Sequence, residues 1–146
     1  MEEQLISFET AKLAKEKGFD EVCSYLYENS KDIVYTTHKN SELNKHFDWY
    51  SAPTQSLLQK FIREKRGVHI EIHRNASGYY WSMCKEDGGT DLGWSDMSGP
   101  NYGGVWDSFE DALENALQVQ LSYDLPNDTT IIKHWGNYVE FALKSK

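Results

Sequence analysis

Cysteine is scarce: Cys23 and Cys84 are the only two in 146 residues. Two thiols are too few for a disulfide framework, so a reducing cytoplasm is the expected compartment. Long apolar runs are missing too, and no stretch approaches the ~18 residues that a membrane-spanning helix requires. The opening Met1-Glu2-Glu3-Gln4 is acidic, where a secretory leader carries a basic start and an apolar middle. There is no internal repeat and no low-complexity tract. A Gly-x-Ser-x-Gly elbow, a phosphate-cradling glycine loop and a dinucleotide fingerprint are all absent, which disfavours the enzyme classes that depend on them. Aromatic area is what the chain has in plenty. Five Trp, nine Tyr and six Phe are more apolar surface than a disordered chain leaves in water. One domain covering 1–146 is expected, with about two-thirds of the unfolded surface buried.

The most uneven absence is of cations. From Glu86 to Ile132 there are ten carboxylates (Glu86, Asp87, Asp91, Asp96, Asp107, Glu110, Asp111, Glu114, Asp124 and Asp128) and no Lys or Arg. The remainder holds thirteen acids against fifteen bases, so all of the surplus in the net charge of −8 belongs to this one third. Such a stretch is either a solvated surface or a face that attracts a cationic partner. Nucleic-acid binding through it is disfavoured, because phosphate contacts need Lys and Arg. The basic residues gather at Lys60, Arg63, Lys65 and Arg66, with Arg74 beyond, and are diluted by Glu64 and Glu71. That is the composition of a wet helix end.

Local patterns predict the elements in turn. Ser7 caps a helix with Phe8, Ala11 and Ala14 on one stripe, and Gly18 ends it. The runs Val22–Tyr27 and Ile33–Thr37 flank a polar turn and read as a hairpin. Lys39–Asp48 reads as loop. Ala52-Pro53 opens a second helix, Leu57, Leu58, Phe61 and Ile62 form its buried stripe, and Gly67 closes it. The period then switches to two. Val68, Ile70 and Ile72 share one face of a strand, His69, Glu71 and His73 the other, and Tyr79–Lys85 returns after the turn Asn75–Gly78. The stretch from Glu86 to Gly104 reads as an ordered, irregular loop, followed by a short strand at Val105-Trp106. Ser108-Phe109-Glu110-Asp111 is a capping-box pattern opening a helix striped by Phe109, Ala112, Leu113, Ala116 and Leu117. A last helix is expected from Thr130, with Ile131, Trp135, Tyr138, Val139 and Ala142 on one side. Together these predict an α+β fold: a small, mostly antiparallel sheet with helices packed on one face.

Three constellations could carry chemistry. Strand geometry puts His69, Glu71 and His73 on one face about 7 Å apart, within reach of a shared metal ion if the rotamers converge and a fourth ligand joins. Cys84 and His134 could supply that ligand; the bland alternative is a solvated sheet face. Asp87, Asp91 and Asp96 lie among glycines but do not match the calcium-loop spacing. Cys23 and Cys84 lack a Cys-x-x-Cys partner, and a strand cysteine is most often a small buried hydrophobe. For recognition, Trp94, Tyr102 and Trp106, with Asp91 and Asp96 beside them, combine rigid aromatic area with glycines that let backbone approach a partner closely. The opposing reading folds these rings back over the sheet edge.

The run Ser51-Ala52-Pro53-Thr54-Gln55-Ser56-Leu57-Leu58-Gln59-Lys60-Phe61-Ile62-Arg63-Glu64 resembles a group of short, uncharacterised proteins common in Bacteroidetes genomes and their phages or prophages. The stretch from Ser7 to Asp20 and His69-Ile70-Glu71 are similar to the same group. The resemblance implies a mobile-element origin and no particular activity. Asp107-Ser108-Phe109-Glu110-Asp111-Ala112-Leu113-Glu114-Asn115-Ala116-Leu117 is similar to the ending of HicB-type antitoxin domains, a small sheet followed by a helix. The chain lacks their Pro-Gly-Cys-type strand motif and carries three further elements, so this likeness is one of architecture. The expectation from the whole sequence is a non-enzymatic cytoplasmic accessory protein that needs no cofactor and binds a protein through Glu86–Trp106. The alternatives are a metal-dependent enzyme at His69, Glu71 and His73, or an acidic inhibitor mimicking nucleic-acid charge.

Overall fold

The computed structural model describes residues 3–28, 32–43, 49–85, 94–96, 99–123, 129–135 and 138–143. In order these form α1 (Phe8–Glu16), β1 (Cys23–Glu28), β2 (Asp32–His38), a 3₁₀ turn (Asn40–Leu43), β3 (Trp49–Ser51) and α2 (Gln55–Arg66). Then come β4 (Val68–Asn75), β5 (Gly78–Lys85), β6 (Trp94–Asp96), α3 (Phe109–Tyr123), β7 (Thr129–Trp135) and β8 (Tyr138–Leu143). The fold class is α+β and every strand pair is antiparallel. The strands are shared among sheets of order β2-β1-β3, β4-β5-β6 and β7-β8. The chain comprises two compact units, Met1–Lys60 and Phe61–Lys146, and the division falls inside α2.

In the first unit, Ser7 caps α1 by accepting the Thr10 N–H, and Gly18 takes the left-handed conformation that ends the helix (φ 92°). The Phe8 ring meets Tyr27 and Tyr50 edge-on, at 5.7 and 5.6 Å between centroids. The Tyr27 hydroxyl donates to the Ile6 carbonyl at 2.7 Å. Lys15 donates to the Trp49 carbonyl, and burial holds its ammonium pKa below the usual lysine value. The hairpin expected around residues 22–37 is present as β1 and β2. Lys39–Asp48 is not wholly loop, since Asn40–Leu43 makes a 3₁₀ turn; residues 44–48 lie outside the described residues. The helix does not begin at Pro53. Thr54 caps it by accepting the Leu57 N–H, while the Pro53 carbonyl accepts from Ile6.

In the second unit, the alternation along β4 separates two faces. Val68 and Ile70 are buried on the inner one with Trp81 and Met83 of β5. Against this face packs the stripe Ala112, Leu113, Ala116, Leu117 and Leu121 of α3. Ser108 caps α3 by accepting the Asp111 N–H at 3.0 Å, as its pattern predicts. Trp81 is fully buried and its indole N–H donates to Asn115 Oδ1 at 2.9 Å. Gln120, also fully buried, accepts from Arg66 at 2.9 Å.

Two expectations are corrected. The last segment is not a helix from Thr130 but the hairpin β7–β8, paired from Thr129↔Leu143 to Trp135↔Tyr138. The β-branched run Thr129-Thr130-Ile131-Ile132 favours a strand over a helix. Val105-Trp106 is not a strand of its own. Trp106 makes a single bridge to Tyr79, and Trp94–Asp96 supplies the third strand instead. Replacing Trp81 by Phe leaves a cavity and orphans the Asn115 oxygen. The expected loss is about 1–3 kcal/mol of unfolding free energy, read from urea denaturation.

Candidate functional site

The recognition segment is held by backbone rather than by its rings. Gly99 N–H donates to the Gly104 carbonyl at 2.7 Å, Asn101 N–H to Val105 at 3.0 Å and Gly104 N–H to Asn101 at 2.9 Å. Gly103 and Gly104 sit at φ 81° and 76°, a region glycine enters without strain. A Cβ on Gly99 would lie 2.4 Å from the Val105 carbonyl oxygen, so only glycine lets the two limbs of the turn approach this closely. Val105 is fully buried and anchors the turn. Trp106 and Tyr79 exchange both backbone hydrogen bonds, at 2.8 and 2.9 Å. A Cβ on Gly78 would meet the Trp106 carbonyl oxygen at 2.4 Å. The turn is therefore fastened to the end of the β4–β5 hairpin.

At its tip Tyr102 is 91% exposed. Of the three rings expected to act together, Tyr102 and Trp106 differ in exposure. Trp106 is half-buried beside its bridge to Tyr79. The side chains of Trp94 and Asp96 lie outside the described residues, as does Asp91 altogether. Sequence reasoning missed Phe109, which is 43% exposed just before the exposed Asp111 and after the exposed Asp107. Its place in the helical stripe marks it as core, yet it is the first residue of α3 and is exposed.

The outer face of β4 carries His69, Glu71 and His73 on one side, as alternation requires. Their cross-strand partners on β5 are Cys84, Ser82 and Tyr80. His69 Nε2 lies 3.3 Å from Glu71 Oε1, within hydrogen-bond distance, and His73 Nε2 lies 3.7 Å from Oε2, too far for one. His73 Nε2 is also 2.7 Å from Ser82 Oγ, and its ring stacks on Tyr80 at 5.0 Å. Among the described residues, no group of three or more His, Cys, Asp or Glu side chains is arranged to hold a metal ion. The Nε2 atom of His69 is turned to the Glu71 carboxylate and that of His73 to the Ser82 hydroxyl.

The first unit contains a polar chain that no local motif announces. His38 Nδ1 is 2.7 Å from the Thr36 carbonyl, so that nitrogen carries the proton and Nε2 is the acceptor. Ser51 Oγ lies 2.9 Å from Nε2, within hydrogen-bond distance. The Ser51 N–H donates to Asn40 Oδ1 at 2.9 Å, and Asn40 Nδ2 donates to the Phe19 carbonyl at 2.8 Å. A serine on a histidine oriented by a carbonyl resembles nucleophile activation. Burial argues otherwise: Ser51 is fully buried and His38 nearly so. The neighbouring cleft of about 330 Å³ is lined by Lys15, Gly18, Phe19, Asp20, Asn40 and Ser41, and not by Ser51 or His38. Burial pushes the Cys23 thiol up to about 11, with the Glu21 carboxylate adding to the rise and a Ser51 hydrogen bond opposing it. Cys23 is therefore a protonated, unreactive thiol at neutral pH.

Thiol titration at mild alkaline pH should show Cys84 reacting fast and Cys23 only on unfolding, with Cys84→Ser removing the fast phase. The folded Cys23 keeps its proton up to about 11 against an ordinary 9.0. Its contribution to stability thus holds below the unfolded thiol's pKa and is lost as pH rises through that window, a slope in melting temperature that Cys23→Ala should flatten. Compared with protein-family models, curated proteins and solved structures, the chain matches none.

Proposed function

We propose that this chain is a non-enzymatic, cytoplasmic accessory protein that binds a basic segment of another protein through the Tyr102 turn. The observation that carries this reading is a nearly naked tyrosine on a turn that three backbone hydrogen bonds and a buried valine hold still. A rigid aromatic side chain offers contact area at small entropic cost, because the ordering has been done by the fold. Its setting selects the partner's chemistry. Exposed Asp107 and Asp111 follow in the chain, and no Lys or Arg occurs between Glu86 and Ile132. Arg or Lys of the partner would stack on the phenol ring and meet these carboxylates. Among the described residues no helix is long and apolar enough to cross a membrane. The mobile-element origin rests on the residue runs quoted for the Bacteroidetes and phage group.

Two effects should separate on salt. Exposed carboxylates steer encounter and weaken as ions screen them, whereas the aromatic contact sets residence time. In a peptide-display selection, the wild-type chain is expected to enrich Arg- and Lys-containing sequences. Tyr102→Ala should raise the dissociation constant of an enriched peptide about tenfold or more. Asp107→Asn with Asp111→Asn should lower its association rate and flatten the salt dependence. Enrichment of neutral peptides, or peptides indifferent to Tyr102→Ala in a folded variant, would overturn the reading.

A further inference from the structure

The outer strand β2 is the most exposed apolar element of the first unit. β1 flanks it on one side, and no described strand flanks it on the other. Sheet edges that stay single are usually blunted by charge, proline or an inward-pointing polar residue. Between Ile33 and Thr37 there is neither charge nor proline. Ile33 is 52% and Tyr35 71% exposed, and the Tyr35 ring meets Tyr25 of β1 edge-on at 5.1 Å. The pairing with β1 is regular from Glu28↔Asp32 to Tyr25↔Tyr35 and slips only beyond, between Tyr25 and Cys23. The half of β2 that is straight is therefore also the half that shows its apolar side chains.

We infer that β2 is an interface with a second copy of this chain, the two β2 strands pairing antiparallel about a two-fold axis at Val34. Symmetry narrows the choice of register. Residues facing each other across an antiparallel pair share a face of the sheet, and a two-fold normal to the sheet keeps each residue on its own face. One residue must then oppose its own copy. Centring on Tyr35 puts Ile33 against Thr37 and the exposed Asp32 against the buried His38, across the slip in register. Centring on Ile33 sets Asp32 against the aliphatic Val34. Centring on Val34 sets Ile33 against Tyr35 twice, Asp32 against the Thr36 hydroxyl twice, and valine against valine. That register alone pairs the two exposed apolar side chains with each other, a β-branched–aromatic contact of the kind that stabilises adjacent strands. No like charges oppose. The product is one continuous sheet of order β3-β1-β2-β2-β1-β3, in which the open edge has disappeared.

Sedimentation of the full chain should give a mass twice the 16.9 kDa of one copy, dissociating on dilution. Tyr35→Lys, at an exposed position, should weaken the dimer at least tenfold while leaving the circular dichroism spectrum unchanged. In a Cys84→Ser background, Val34→Cys should form an intermolecular disulfide on mild oxidation, since self-opposed residues sit within bridging distance. A Tyr35→Cys chain, whose cysteines lie diagonal to one another, should bridge more slowly. A wild-type monomer up to about 100 μM, a dimer indifferent to Tyr35→Lys, or faster bridging at Tyr35→Cys than at Val34→Cys would each overturn the inference. So would a monomer that takes up an extended foreign peptide along β2.

Discussion

The second unit depends on how Trp81 is buried. Its indole is the largest side chain with no exposure, and its one polar atom is satisfied by Asn115 of α3. A single residue thus couples the sheet to the helix both by apolar area and by a directional bond. Neither would suffice alone: the area fixes how close the layers come, and the hydrogen bond fixes their register along the helix. Three residues earlier in the same strand, the bare backbone of Gly78 leaves room for the Trp106 carbonyl, and Trp106 bridges to Tyr79 beside it. The glycine turn bearing Tyr102 is therefore an outgrowth of a packed core. Its stiffness is inherited from β5.

The first unit meets the cost of buried polar groups differently. His38, Ser51, Asn40 and the backbone at Thr36 and Phe19 satisfy one another in a closed chain. No buried side-chain nitrogen or oxygen is left without a partner among the described residues. A complete network of this sort specifies one arrangement of β1, β2 and β3, because any shift of register strands a donor or an acceptor in a region with no water to replace it. Its resemblance to a serine–histidine pair is a resemblance of parts. Catalysis needs the nucleophile in contact with a ligand, and here the oxygen faces protein on every side.

What could be read from the sequence was local. The three helices were legible because Ser7 and Ser108 cap and Gly18 and Gly67 terminate within a turn of a clean apolar stripe. The β4–β5 hairpin was legible because its alternation is strict over six residues on the first strand. The terminal hairpin was not, since Ile131, Trp135, Tyr138, Val139 and Ala142 satisfy a helical stripe and a pair of strands alike. Runs of bulky residues are ambiguous in period, and the β-branched residues were the better signal. The Ser51–His38 chain was hidden for another reason. It depends on a short strand, Trp49–Ser51, and on the pairing of Cys23 with His38, both of which are long-range. Exposure of Tyr102 and of Tyr35 likewise belongs to topology, as the sequence shows an aromatic without showing which side of the fold it faces.

Tyr102 and Tyr35 are both exposed rings, but their physical settings differ. Tyr35 lies on regular strand whose outer side no described strand flanks, so a partner strand laid there would gain a ladder of main-chain bonds. Such bonding is indifferent to side-chain charge and suits an identical strand. Tyr102 stands on a turn whose backbone N–H groups at Gly99, Asn101 and Gly104 are already spent internally. A turn with satisfied backbone and unbalanced negative charge discriminates among partners by their cations. An open strand edge with uncharged side chains discriminates by shape and register.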